Sequence, residues 1–142
     1  MLEMKNVTYI YEDQTVALKD ISMDLSKGSC IGIIGSNGAG KSTLFLNFTG
    51  VLRPKQGQIF YDEKPMKYDK ASLRELRKQV SIVFQDPDKQ IFFSKVYDDV
   101  AFALRNLGVD EKEINRRVNI ALASVGAKDF ADKPVHFLSH GQ

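Results

Sequence analysis

The segment Gly35-Ser36-Asn37-Gly38-Ala39-Gly40-Lys41-Ser42 constrains this chain more than any other. It fits G-x-x-x-x-G-K-[ST], and its neighbours have the character that pattern needs. Ser29 to Ile34 is a short apolar run between Gly28 and Gly35, which predicts a strand buried on both faces. Ser42 to Thr49 predicts a helix with Leu44, Phe45 and Phe48 inward and Gly50 as its stop. In a strand, loop and helix of this kind, the glycines and small Ala39 let backbone N–H groups turn toward an anion. The helix adds the positive end of its dipole. Lys41 brings a mobile charge for the β- and γ-phosphates, Ser42 a hydroxyl for Mg²⁺, and Thr43 a hydroxyl for the α-phosphate. The segment therefore predicts a site for a nucleoside triphosphate.

The rest of the chain reads as α/β and then helical. Glu3 to Tyr11 favours β-formers, and Ile21, Met23 and Leu25 alternate with polar residues, so both stretches predict strands with one buried face. Glu12-Asp13-Gln14 and Lys27-Gly28 read as turns. Gly57 to Tyr61 predicts a further strand, Ser72 to Gln79 a helix, and Val80 to Phe84 a second buried-strand run. After Asp86-Pro87 the pattern turns helical. Val96, Val100, Ala103, Leu104 and Leu107 share one face, closed by Gly108. Asp110, with Glu113 three residues on, opens another helix striped by Ile114, Val118, Leu122 and Val125, ending at Gly126.

Composition sets the outer limits. With 20 basic and 18 acidic residues the net charge is +2, which gives no reason to expect a nucleic-acid partner. No apolar run approaches the roughly 20 residues that cross a bilayer. Met1 to Lys5 carries no apolar signal core, so a cytosolic protein is expected. Cys30 is the single cysteine, and its apolar setting predicts a small buried filler.

Three more segments carry a family likeness. Leu138-Ser139-His140-Gly141-Gln142 resembles the L-S-G-G-Q signature of ABC ATPases, with His140 where the commonest form has glycine. Gln85, closing Val80-Ser81-Ile82-Val83-Phe84, matches the glutamine of the family's Q-loop. Tyr11 falls where the family places an aromatic that stacks on adenine, though it also reads as a strand residue packed on the sheet. In this order the motifs take in essentially all 142 residues.

The resemblance implies a P-loop NTPase with a RecA-like α/β core, an N-terminal antiparallel β part and a helical subdomain, divided at 1–86 and 87–142. It implies that ATP is held by Tyr11 and by Gly35, Ser36, Asn37, Gly38, Ala39, Gly40, Lys41, Ser42 and Thr43. Lys41 and Gln85 would be catalytic, and Ser42 with Gln85 would hold Mg²⁺. Ser139, His140, Gly141 and Gln142 would meet the ATP of a second ATPase subunit in a head-to-tail homo- or heterodimer. Gln85 would also couple the site to integral membrane transporter subunits, met by the helical part on the cytoplasmic face of the membrane. His140 reads as a tolerated surface residue of the signature turn, and His136 as a packing or capping residue.

A narrower likeness lies in Phe84-Gln85-Asp86-Pro87-Asp88-Lys89-Gln90-Ile91-Phe92 and in Val96-Tyr97-Asp98-Asp99-Val100-Ala101-Phe102. These resemble the energy-coupling factor branch, which implies import of cobalt, nickel or a vitamin. Asp98 and Asp99 also read simply as first-turn charges that favour the helix dipole. Two readings of other classes stand beside transport: a soluble ABC ATPase of DNA repair or translation, and a nucleotide-binding module without turnover. In the family an apolar strand ending in Asp-Glu and a later switch histidine follow the signature. The resemblance thus implies that the chain is a C-terminally incomplete fragment, inactive alone in hydrolysis, whose phosphate-loop strand lacks a neighbour.

Overall fold

A computed structural model describes residues 1–26, 30–86, 90–139 and 141–142. They divide into two compact units, Met1–Ile82 and Val83–Gln142. The turn expected at Lys27-Gly28, together with Ser29, Pro87 and His140, lies outside the described residues.

The first unit is built on an antiparallel sheet. Strands β1 (Leu2–Ile10), β2 (Val16–Asp24), β3 (Gln56–Tyr61) and β4 (Lys64–Pro65) are ordered β2-β1-β3-β4. Helix α1 (Lys41–Phe48) joins β2 to β3 in sequence, and α2 (Lys70–Leu76) follows β4. The β1–β2 turn is closed locally: Tyr11 N–H donates to the Thr15 carbonyl at 2.9 Å and Gln14 N–H to the Tyr11 carbonyl at 3.0 Å. Asp13 Oδ1 accepts from Thr15 N–H, which lowers the Asp13 pKa.

Strict alternation would put Met4 and Val7, three residues apart, on opposite faces of β1, yet both are buried in one core. A bulge reconciles them. Asn6 has φ 50°, and the β1–β3 register shifts between Lys5 and Thr8. Gly57 faces the bulge at φ +80°, and a Cβ there would lie 2.3 Å from the Asn6 carbonyl oxygen, so only glycine fits. Met4, Val7, Leu18, Leu44, Phe48 and Ile59 form the core under α1. Burying each larger side chain contributes about 1.5–3 kcal/mol. Leu44 and Phe48 point inward as expected, but Phe45 is 43% exposed. The inward face of α1 is shared instead with Thr43 and Asn47.

Two expected strands do not form. Cys30 to Ile34 and Val80 to Phe84 carry no strand pairing, and Ile34 and Val83 are 98% and 88% exposed. Cys30 is likewise exposed rather than a buried filler. An apolar run becomes a buried parallel strand only when its backbone groups find a ladder on either side. Among the described residues neither run has one, and the whole sheet is antiparallel.

Helix α2 starts at Lys70, two residues before the expected Ser72, because Asp69 caps it by accepting from Ser72 N–H at 2.9 Å.

The second unit packs α3 (Val96–Asn106) and α4 (Glu111–Ser124) around Val96, Ala101, Ile114, Val118 and Leu122. In α3 Val96 and Leu104 turn inward as expected, joined by Tyr97 and Ala101, while Val100 is left 37% exposed and Ala103 is exposed as well, against expectation. In α4, Ile114, Val118 and Leu122 are buried as expected, while Val125 sits at the C-cap and is exposed. Asp110 caps α4 by accepting from Lys112 and Glu113 N–H. The Glu113 carboxylate turns to Arg116 and Arg117 rather than back to the cap. Among the described residues no helix is long and apolar enough to cross a membrane.

Candidate functional site

The first unit brings Tyr11, the loop Gly35 to Gly40, and the first turn of α1 together. The loop meets the helix through Gly40, the N-cap, at φ +86°. A Cβ there would lie 2.4 Å from the Ala17 carbonyl oxygen, so the start of α1 rests directly on β2. That approach is open to glycine alone, both sterically and by its left-handed backbone. Gly38, also left-handed at φ +80°, has nothing within 4 Å of an added Cβ. Its requirement is conformational only.

The loop is curled around its lysine. Lys41 Nζ donates to the carbonyls of Gly35 and Ser36, both at 2.7 Å, and Ala39 N–H donates to the Ser36 carbonyl at 3.2 Å. No acidic residue stands in the first turn of α1, so nothing there offsets the positive end of the helix. Ser42 is exposed beside Lys41, and Thr43 is buried. An ammonium, two hydroxyls and glycine backbone free of Cβ make a donor-rich cradle, which suits a polyphosphate. Ser42 offers one oxygen suited to Mg²⁺, a cation that takes few protein ligands.

Tyr11 is held in place at the end of β1. Its hydroxyl lies 2.9 Å from Thr43 Oγ1, and its ring meets that of Tyr9 edge to face, at 5.0 Å between centroids and 86° between planes. Burial, and then the neighbouring Tyr11 and Glu12, raise the Tyr9 phenol above its ordinary pKa. Tyr11 itself is partly exposed. Its place beside α1 thus goes beyond sheet packing.

Sequence reasoning missed Asn47. It is fully buried one turn after Thr43, where Nδ2 donates to the Thr43 carbonyl at 2.8 Å. The signal was a polar residue inside the apolar stripe, four positions after Thr43. Tyr9 was likewise unmarked, although it lies two residues before Tyr11 and its ring meets that of Tyr11.

The remaining expected residues belong to the second unit. Gln85 is an exposed residue in a bend. At the signature, Gln142 Oε1 accepts from Ser139 N–H and Gln142 N–H donates to the Ser139 carbonyl, both at 2.9 Å. The side-chain bond is the returning half of a capping box, the geometry of a helix start. His136 meets Phe137 edge to face at 4.5 Å. Near the unit's start, the rings of Phe92 and Phe93 rest against that of Phe102 at 5.5 and 5.4 Å, tilted by 37° and 53°, and Asp99 Oδ1 accepts from both of their N–H groups. Phe92 is 74% exposed.

Known proteins resemble the whole chain. The family model described as ABC transporter matches residues 18–142. The energy-coupling factor transporter ATP-binding protein EcfA of Methanocaldococcus jannaschii is 49% identical over 142 residues, all of this chain and 51% of that protein. The cobalt import ATP-binding protein CbiO of Salmonella paratyphi A is 48% identical over the same 142 residues, 52% of its length. The solved structure of CbiO1 from Clostridium perfringens, described as part of the ABC transporter complex cbiONQ, superposes with a TM-score of 0.84 at 46% identity. It covers 97% of this chain and 55% of that one. The chain thus spans about half the length of the curated relatives it matches. The phosphate-loop fold, the order of motifs and these likenesses agree: the chain belongs to the ABC transporter family, with a P-loop NTPase fold.

Proposed function

We propose that this chain belongs to the ATP-binding subunit of an energy-coupling factor importer, taking up cobalt, nickel or a vitamin. The observation that carries the nucleotide part is the glycine loop curled on Lys41 at the head of α1. The importer part rests on the names of the EcfA and CbiO relatives and on the stretches Phe84 to Phe92 and Val96 to Phe102. Residues 1–86 would belong to the nucleotide-binding core and 87–142 to the helical part.

In this reading Lys41 gives up two neutral carbonyls and takes charged phosphate oxygens in exchange. Charge-assisted bonds are roughly twice as strong as neutral ones, so the exchange favours binding. Backbone N–H groups of Gly38 to Lys41 and the helix end orient the phosphates. Thr43 donates to the α-phosphate, and the face of Tyr11 receives adenine. Ser42 and Gln85 would hold Mg²⁺, which when bound neutralises phosphate charge. Ser139, His140, Gly141 and Gln142 would face the ATP of a second subunit, as a helix start suited to anions. Ile91, Phe92 and Phe93, partly exposed and apolar, are suited to a membrane subunit on the cytoplasmic side.

Calorimetric titration with ATP and Mg²⁺ tests the core of this reading. Binding in the parent chain, lost at least about a hundredfold in Lys41→Ala, is expected for a lysine making two charged contacts. Equal affinity in parent and variant would remove the phosphate-loop assignment. For the transport part, Phe92→Ser/Phe93→Ser should release the protein from membranes of its own cells. A protein that never sediments with those membranes would favour the soluble ATPase reading instead.

A further inference from the structure

We infer that Tyr11 acts through its hydroxyl on the phosphate end of the site, as a positioning residue for Thr43, as well as through its ring. The inference rests on the nucleotide-binding reading above and deepens it. Tyr11 Oη and Thr43 Oγ1 are 2.9 Å apart, and each hydroxyl has one proton to donate. A phosphate oxygen offers only acceptors. The arrangement that satisfies every group is therefore Tyr11 O–H donating to Thr43 Oγ1 while the Thr43 O–H donates to phosphate. Such a chain polarises the threonine hydroxyl and fixes its rotor.

Each end of the pair is held from outside. Tyr11 is set by the edge-to-face contact with Tyr9 and by two backbone bonds of the β1–β2 turn. Thr43 is 6% exposed, and the fully buried Asn47 donates to its carbonyl at 2.8 Å. A threonine hydroxyl with a fixed acceptor site has fewer orientations to lose when it meets an anion. Position 11 thus calls for tyrosine, where stacking alone would accept phenylalanine equally well.

The test compares ATP with inorganic tripolyphosphate, both with Mg²⁺, by calorimetry on the chain and on Tyr11→Phe, Thr43→Val, Thr43→Ser and the Tyr11→Phe/Thr43→Val double variant. Tripolyphosphate has no base to stack, so a stacking role cannot affect it. Loss of one neutral hydrogen bond predicts about three- to tenfold weaker binding of both ligands by Tyr11→Phe. Thr43→Ser should keep most of the affinity, and Tyr11→Phe should add nothing to Thr43→Val. Unfolding midpoints within error of the parent keep the comparison on the site. Tripolyphosphate binding unchanged by Tyr11→Phe would overturn the coupling and leave the nucleotide reading intact. Failure of the parent chain to bind either ligand would overturn both.

Discussion

The antiparallel sheet and the apolar run Cys30 to Ile34 are made of similar residues and have opposite fates. Ile59 in β3 is 1% exposed, whereas Ile34, just before the phosphate loop, is 98% exposed. The difference is not hydrophobicity. β1, β2 and β3 find ladder partners within 61 residues of the N-terminus, two of them joined by a five-residue turn that closes on itself. Cys30 to Ile34 and Val80 to Phe84 carry the composition of parallel strands, whose partners lie across long connections. Composition marks a segment as fit for burial, and pairing decides whether it is buried.

The sharpest way to break this contrast is to truncate both isoleucines. Ile59→Ala should destabilise the chain by about 2–5 kcal/mol, the usual cost of emptying a packed core site. Ile34→Ala should stay within about 0.5 kcal/mol. Urea unfolding followed by circular dichroism measures both. Equal losses would mean that Ile34 is buried in solution, and the comparison would fail.

A second pair separates steric from conformational demand within the loop. Gly40→Ala meets both a left-handed φ of +86° and the Ala17 carbonyl at 2.4 Å, so it should cost more than about 2 kcal/mol and at least tenfold in ATP affinity. Gly38→Ala, at φ +80° with open space around it, should cost only about 1 kcal/mol. If the two variants behave alike, the close approach of α1 to β2 does not matter.

These pairs also show what the sequence could and could not tell. The spacing Gly35 to Ser42, the caps at Asp110 and the glycine stop at Gly50 were legible because each is a local rule, read within four to eight residues. The inward turn of Asn47 was not, since a polar residue in an apolar stripe has no local partner to announce it. The face of α3 was legible only in part: Val96 and Leu104 turn inward as read, but Ala101 takes the place given to Val100, because both are apolar and only the packing against α4 chooses between them. The bulge at Asn6 was equally invisible, as its reason lies in Gly57, about fifty residues away. Of the candidate site, the spacing of the loop glycines and Lys41 was legible, while the bond from Tyr11 to Thr43 joins segments about thirty residues apart and appears only once β1 and α1 are in place.

The helical unit extends the contrast to caps. Asp110→Ala removes the acceptor for Lys112 and Glu113 N–H and should cost about 1 kcal/mol in the unit that contains α4. Asp110→Asn, which keeps an acceptor oxygen, should restore most of it. Thermal melts that leave both variants at the parent midpoint would show that α4 is held by its buried stripe alone.

The smallest expected effect concerns charge. Glu113 sits one turn before Arg116 and Arg117, accepting from Arg116 at 2.7 and 2.8 Å and from Arg117 at 2.6 Å. Those two guanidinium groups, Arg116 first, hold its carboxyl at about 2, against an ordinary 4.5. A carboxyl whose folded pKa is depressed binds its proton more weakly in the folded state. Its stabilisation is therefore complete above pH 4.5 and is lost as pH falls toward 2. The Glu113 side chain is 33% exposed and its two arginine partners more so, so salt screens the pair and the effect is modest. Between pH 5 and roughly 2, the unfolding midpoint of the parent chain should fall more steeply than that of Glu113→Gln, and 1 M salt should shrink the gap. Parallel slopes for parent and variant would show that these ion pairs, although closed within one helix like the β1–β2 turn within its hairpin, add nothing to the stability of α4.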